Sequence, residues 1–511
     1  MVDKNLFSIK DFQDLSTLEN LTNKEAVTLL SEMIDYDSEF GKLVFSGKAI
    51  TLSNTLLKRN LSSKIKSVLY YCLANAWDNM QYYKYNSPSW DNIAVANQIL
   101  YFRKSLLEEG AVRLPLLHYL RICTNLGNTL SKTGRFLEAI EYYDKALFRS
   151  ANFGMALGGK AIALIDYANL LVQGEERVYL YLYAQELLQK ATQVDSTESH
   201  ALKVFKKYLE RLPNFLHGEK LKNPPQKYIY APESQDKEDC FRKWCLEYGL
   251  ILNPINLVTD YRSIKDITHT PEITTSIDSR IPNYFAYFNQ LKQEFSSARF
   301  LCFEAIYETY KKHYSDKYNF LVNSLDSALW DYHTEQMKLA FLTAYSILDK
   351  IAHYINEYFD LQHPLDKINF RNIWYIECKI KYTKNSKPTL LPFFQKSQNR
   401  ALLALFWLSK DFCYDNNQKN CIEPEAEKLN QIRNNLEHHF FQIRISNYTD
   451  SSIPGIGFQS FQDKTIRLLQ LIHHALSYLA LAITYDSKEN MSDKNSDKLA
   501  VPMLLEDWSL H

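Results

Sequence analysis

Apolar residues recur at spacings of three and four along a succession of long segments of this chain, a pattern that predicts an all-α protein. Residues 1–60 carry short helical pieces, of which EAVTLLSEMIDYDSEFGKLVF is the longest. From about Leu61 the spacing strengthens through KIKSVLYYCLANAWDNMQYY and IAVANQILYFRKSLLEE, with a turn expected at Asn86-Ser87-Pro88-Ser89, and helix pairs continue to about residue 215. Composition then shifts. Pro224, Pro225, Pro232, Pro254 and Pro271, the charged run SQDKED and the β-prone DITHTPEITTS disfavour a long helix, so 216–287 reads as an irregular connector. Within it Phe241 to Leu246 and Leu252 to Asn256 are too apolar for a free linker and are expected to dock on a neighbouring domain. Residues 288–486 hold five helical patterns, SSARFLCFEAIYETYKKHY, QMKLAFLTAYSILDKIAHYINEYF, QNRALLALFWLSKDFCY, PEAEKLNQIRNNLEHHFFQIR and TIRLLQLIHHALSYLALAIT, which predict a helical bundle. The tail 487–511 opens on the polar run DSKENMSDKNSDK, expected to be a flexible linker, and ends on an apolar clip, VPMLLEDWSLH.

The fourth bundle pattern concentrates the chemistry. Pro424 with Glu423, Glu425 and Glu427 makes an acidic, proline-led first turn, and Leu429, Ile432, Leu436, Phe440 and Ile443 form a stripe expected to face the core of a helix running to Arg444. On the opposite side the wheel places Asn434 and His438 one turn apart, with Glu437 beside them and Arg433 on the flank. Phe441 and Ile445 also fall on that outer face, which suits a surface covered by another protein, and His439 falls toward the core edge. Arg433 and Glu437 have the spacing of an i,i+4 ion pair on a helix surface. Guanidinium matches phosphate oxygens with a two-pronged donor set, and imidazole gives or takes protons near neutral pH. On one helix Arg433 and His438 diverge by about 140°, so a shared cleft between two copies suits them better than a single chain.

The order Arg-x4-His, with Asn434 directly after Arg433 in RNNLEH, resembles the signature of the HEPN superfamily, the higher eukaryote and prokaryote nucleotide-binding domains. The resemblance implies a bundle of four or so helices that dimerises to bring two motifs into one cleft. It implies metal-independent RNA cleavage leaving a 2′,3′-cyclic phosphate and a 5′-hydroxyl, with Arg433, His438 and Asn434 as the catalytic set. Glu437, Asp349 and His353 are its supporting candidates, and Phe441 and Ile445 its interface candidates. Leu126-Gly127, Gly134, Ala139, Tyr143 and Ala146 lie at the offsets of a tetratricopeptide (TPR) repeat, with Cys123 where Trp is usual and Ala151 where Pro is usual. Ala161, Ala184, Leu188 and Ala191 fit a further pair, so 61–215 resembles a short TPR-like solenoid. Gly127 and Ala139 are small where two antiparallel helices cross, Tyr143 fills the gap to the next pair, and Gly134 lies in the turn. The concave face of such a solenoid binds a peptide or protein, or else the helices serve as scaffold alone.

Composition narrows the picture. The chain has 511 residues and equal numbers of Lys+Arg and Asp+Glu, 59 each, so no global basic field would hold nucleic acid and any RNA contact must be local. Eight cysteines form no CxxC, which predicts reduced thiols. The start MVDKNLFSIKDFQDL lacks an apolar leader core, and no run of eighteen apolar residues occurs, so a cytoplasmic protein is expected. No phosphate-binding glycine loop, nucleophile elbow or metal-ligand spacing is present, so no cofactor is expected, and His473-His474 reads as packing. The expected function is an endoribonuclease, with the resemblance pointing to antiviral defence or growth arrest regulated through the TPR-like region. The alternatives are a non-catalytic adaptor that dimerises and recruits a protein, or a nucleotide-binding protein.

Overall fold

Local sequence sets the helix starts. Thr22 caps a helix by accepting from the Glu25 N–H while the Glu25 carboxylate accepts from the Thr22 N–H, and Asp236 and Asp331 cap two others through the N–H three residues on. A computed structural model of the chain describes residues 7, 9–82, 90–172, 174–195, 197–216, 236–258, 262–271, 274–275, 283–307, 312–322, 325–377, 388–413, 422–446, 452–491 and 499–500. The protein is mostly helical, with stacked helix pairs in the N-terminal region and a second helical region C-terminal to it, in agreement with the sequence pattern. The expected turn at 86–89, Cys378, Cys421 and the clip at 501–511 lie outside the described residues.

Two compact units are present. The first comprises 1–167, 181–218 and 406–427, and the second comprises 168–180, 219–405 and 428–511. In chain order the early helices are α1 (Ile9–Asp14), α2 (Asn23–Phe40), α3 (Ser46–Leu56), α4 (Ser63–Met80), α5 (Ile93–Leu107), α6 (Leu116–Lys132), α7 (Phe136–Arg149), α8 (Gly154–Leu170), α9 (Glu175–Gln193) and α10 (Ser199–Leu216). α4 packs on α5, α5 on α6 and α6 on α7, and α2, α3 and α4 pack together. Gly134 makes the turn between α6 and α7 at φ +82°, a left-handed value that a side chain resists. A Cβ on Gly127 would lie 2.8 Å from the Tyr143 ring, and one on Gly159 would lie 2.5 Å from it. Tyr143 therefore fills the space from α6 across to α8, as the repeat offsets predict. Ala161, Ala184, Leu188 and Ala191 are likewise fully buried.

The first unit also buries a set of charges. Arg103 on α5 donates to Asp411 (Nη1 to Oδ1, 2.7 Å), to the Ile422 carbonyl (3.0 Å) and to Glu138 (3.1 Å), and pairs with Glu423 at 3.2 Å. Arg135 pairs with Asp411 and Glu138 and donates to the Trp407 carbonyl. Burial alone would raise the Asp411 carboxyl, but the Arg103 and Arg135 guanidiniums outweigh it and hold the group well below the usual carboxylate range. Four of these charges are buried, so each depends on its partners to offset lost hydration.

The later helices are α11 (Lys237–Glu247), α12 (Tyr284–Tyr307), α13 (Tyr332–Tyr358), α14 (Pro392–Lys396), α15 (Arg400–Ser409), α16 (Ala426–His438) and α17 (Phe458–Met491). Short strands β1 (Thr274–Thr275), β2 (Gln442–Arg444), β3 (Gly455–Gly457) and β4 (Leu499–Ala500) pair as β1 with β4, antiparallel, and β2 with β3, parallel. In the second unit α12, α13 and α17 pack on one another through apolar faces that include Phe295, Cys302, Phe341, Leu348, Ile472 and Leu479. The apolar segment around α11 docks on α12, where the Phe241 ring meets Phe300 and Phe303 and Arg299 donates to the Leu250 carbonyl at 2.7 Å. Within the tail, residues 487–491 continue α17 rather than starting a linker, since Lys488 donates to the Leu171 carbonyl. Among the described residues, α17 is long and apolar enough to cross a membrane by length and composition, yet 83% of that stretch is buried in the protein, as in a core helix.

Candidate ribonuclease site

Leu429 and Ile432 are buried and Leu436 half-buried, so the apolar stripe places α16 as its spacing predicts. The helix stops at His438, however, and does not reach Arg444. Three residues past His439 the chain enters β2, where the Ile443 carbonyl accepts from the Leu329 N–H at 2.7 Å and Ala328 bridges Arg444. Backbone groups committed to this ladder are not available to a helix. Phe440 is consequently 88% exposed instead of joining the core stripe, and Ile443 is buried from a strand. Phe441 is half-buried and Ile445 is 72% exposed, both beyond the helix whose outer face they were expected to share. His439, expected at the core edge, is exposed.

The polar side of α16 assembles around one carboxylate. Glu437 Oε2 lies 2.9 Å from Arg433 Nη2 and 3.4 Å from His438 Nε2, while Arg433 Nη1 donates to Asn434 Oδ1 at 3.1 Å. Although their Cα positions diverge on the wheel, the two side chains reach a common oxygen. The guanidinium carbon sits 5.7 Å from the centre of the buried Tyr345 ring on α13, a cation–π contact that fixes its height. Arg433 Nε is buried and has no hydrogen-bond partner among the described residues. His438, at the last turn, is 64% exposed. The structure thus gathers Arg433, Asn434, Glu437 and His438 and adds Tyr345. Tyr345 recurs at helical spacing with Phe341, Leu348, Ile351 and Ile355, and no local signal separates it from those apolar positions.

Asp349 lies one turn beyond Tyr345 on α13, but its Oδ1 accepts from the Phe370 N–H at 3.1 Å, an anchor for the loop ahead of α14. His353, a further turn along, is half-buried. His473 meets the Ile251 carbonyl at 3.0 Å, and His474 is buried beside Tyr478, both packing positions. Among the described residues no group of three or more His, Cys, Asp or Glu is placed to hold a metal ion.

Residues 275–486 match the family described as LA2681-like HEPN. The chain carries an LA2681-like HEPN domain. Residues 120–151 match the tetratricopeptide repeat, the segment whose Gly127, Gly134 and Tyr143 carry the geometry described above. No curated protein and no solved structure matched the sequence. HEPN domains form a family that often includes metal-independent ribonucleases. In this HEPN domain the Arg-x4-His residues lie on α16, and the matched span includes residues 406–427, which belong to the first compact unit.

Proposed function

We propose that the chain is a metal-independent endoribonuclease of HEPN type that works as a homodimer, with Arg433 and His438 as its catalytic residues and Asn434 positioning the guanidinium. The observation that carries this reading is Glu437 Oε2, which lies within reach of both the Arg433 guanidinium and the His438 imidazole and so marks the place for an anionic oxygen. A phosphate oxygen of RNA would take that place. The ribose 2′-oxygen attacks phosphorus, its proton passes to an imidazole base, the bond to the 5′-oxygen breaks, and a second proton donor completes the leaving hydroxyl. Arg433 holds the charge that gathers on the equatorial oxygens. One chain offers a single His438 here, and a two-fold partner would supply the second imidazole. The TPR repeat supports a protein or peptide ligand that regulates cleavage, consistent with an effector of antiviral defence or growth arrest.

The deciding experiment compares parent, Arg433→Ala and His438→Ala proteins on RNA in the presence of a chelator, with mass measured by light scattering. The expected result is a dimer whose cleavage falls by about 10²–10⁴-fold in either variant. Undiminished cleavage in folded variants removes the assignment and leaves the adaptor reading.

A further inference from the structure

Residues 312–322, between α12 and α13, expose aromatic rings at a density that solvent does not favour. Tyr314, Tyr318 and Phe320 are 75%, 89% and 91% exposed, and the exposed Lys312 and Lys317 alternate with them. Tyr318 and Leu325 adopt φ of +65° and +58°, a left-handed conformation that costs a residue with a side chain roughly 1–3 kcal/mol. Strain and exposure therefore coincide on the same residues, and neither is offset by burial within the chain.

The segment is stapled at its start to the first turn of α13 and at its end to β2. At its start, Asp316 Oδ2 accepts from the Tyr332 N–H at 3.2 Å, and the His313 ring stacks on Tyr332 at 4.0 Å. At its end, Asp326 Oδ2 accepts from Gln442 Nε2 at 2.7 Å, the Ser327 carbonyl accepts from the Ile445 N–H at 3.1 Å, and Leu329 joins β2. β2 is the strand that follows His438, with the exposed Phe440 between them. Asp316 and Asp326 are engaged in these staples, so among the described residues 312–326 the charges presented outward are those of Lys312 and Lys317.

We infer that Lys312 to Val322 is a platform for single-stranded RNA, on which Tyr314, Tyr318 and Phe320 stack unpaired bases while Lys312 and Lys317 meet the phosphates. Every base has a π-face, and alternating cations and rings suit a strand whose bases are splayed from its backbone. Paired bases in a duplex are closed to such rings. The inference rests on the ribonuclease reading and names its substrate class: an unpaired segment, held by a stretch that Asp326 and Leu329 tie to the strand following His438.

The test uses the full chain bearing His438→Ala, so that RNA survives the measurement, and reads the anisotropy of a labelled single-stranded oligoribonucleotide against a labelled RNA duplex. Adding Tyr318→Ala and Phe320→Ala is expected to weaken single-strand binding by about tenfold or more, with duplex binding little changed. Lys312→Ala with Lys317→Ala is expected to flatten the fall of log affinity with log salt by about one. Far-UV circular dichroism and melting confirm that substitutions at such exposed positions keep the fold. Single-strand affinity unaltered by the aromatic pair overturns the platform, and so does a parent dimer that the pair converts to monomer with RNA binding intact, since the surface then serves a second copy. Cleavage by the parent chain is measured separately, so loss of the platform in a chain that still cuts RNA leaves the ribonuclease reading standing.

Discussion

Arg103 and Asp411 stand 308 residues apart in sequence and share two hydrogen bonds inside the first unit, Nη1 to Oδ1 at 2.7 Å and Nη2 to Oδ2 at 3.2 Å. The same guanidinium holds the Ile422 carbonyl and Glu423, the residues that lead into α16. Removing the shared carboxylate leaves two buried cations with Glu138 as their only fully buried counter-charge among the described residues. Asp411→Ala is expected to cost about 3–5 kcal/mol, read as a lower melting temperature or denaturant midpoint. A loss below about 1 kcal/mol would mean that water reaches the cluster.

Acid should weaken the same cluster. Folding lowers the Asp411 pKa beneath its unfolded value of about 3.9, so the stabilisation is complete above that pH. As pH falls below it, the unfolded chain takes up the proton first and stability declines. Melting temperature followed from pH 7 down to pH 3 is expected to fall more steeply in the parent than in Asp411→Asn. Parallel curves would remove the carboxylate from the account.

This cluster was not legible in the sequence, and the reason is physical. Arg103 within ILYFRKSLL and Asp411 within FWLSKDFCY each sit beside a lysine in an otherwise apolar run, and only the fold shows which charges are buried and matches their signs. Charges in such runs are the usable signal, because burial without a partner is too costly to persist. By contrast Gly127, Gly134 and Tyr143 were legible, since a helix crossing demands small residues at fixed offsets. The start of α16 was legible and its end was not: Phe440 and Ile443 satisfy helical spacing, but β2 forms through Ala328 and β3, remote pairings that no local period reveals.

Gly127→Ala should destabilise the TPR repeat. The new methyl meets the buried Tyr143 ring, an overpacking cost of roughly 1–3 kcal/mol against a gain of about 1 kcal/mol in helix propensity. Tyr143→Leu in the same chain should recover part of the loss, and a double variant whose loss equals the sum of the two singles would show that the ring is not what the methyl strikes.

Glu437→Gln tests the shared oxygen. The Arg433–Glu437 pair is partly exposed, so stability should move by no more than about 0.5 kcal/mol. With the competing carboxylate gone, RNA affinity in the His438→Ala background should rise roughly twofold, the factor that such an ion pair is worth. Weaker RNA binding would show that Glu437 assists the substrate instead of yielding to it.

Asp349 is expected to act through the loop it anchors. Asp349→Ala leaves the Phe370 N–H without its acceptor and should cost about 1–2 kcal/mol, while Asp349→Asn, whose side-chain carbonyl can still accept, should recover most of it. If both variants melt like the parent but cut RNA slowly, Asp349 belongs to the chemistry.

The place where α16 ends gives the two halves of its motif unequal stiffness. Arg433 is propped on the Tyr345 ring more than a turn from the helix end, whereas His438 rides the final turn, where carbonyls lack partners and fraying begins. A brief unwinding of that last turn would swing the imidazole aside while the guanidinium keeps its post. The proton carrier would thus be the moving part and the phosphate grip the fixed one, so a ligand that tightened the chain after His438 would set how often the two halves meet.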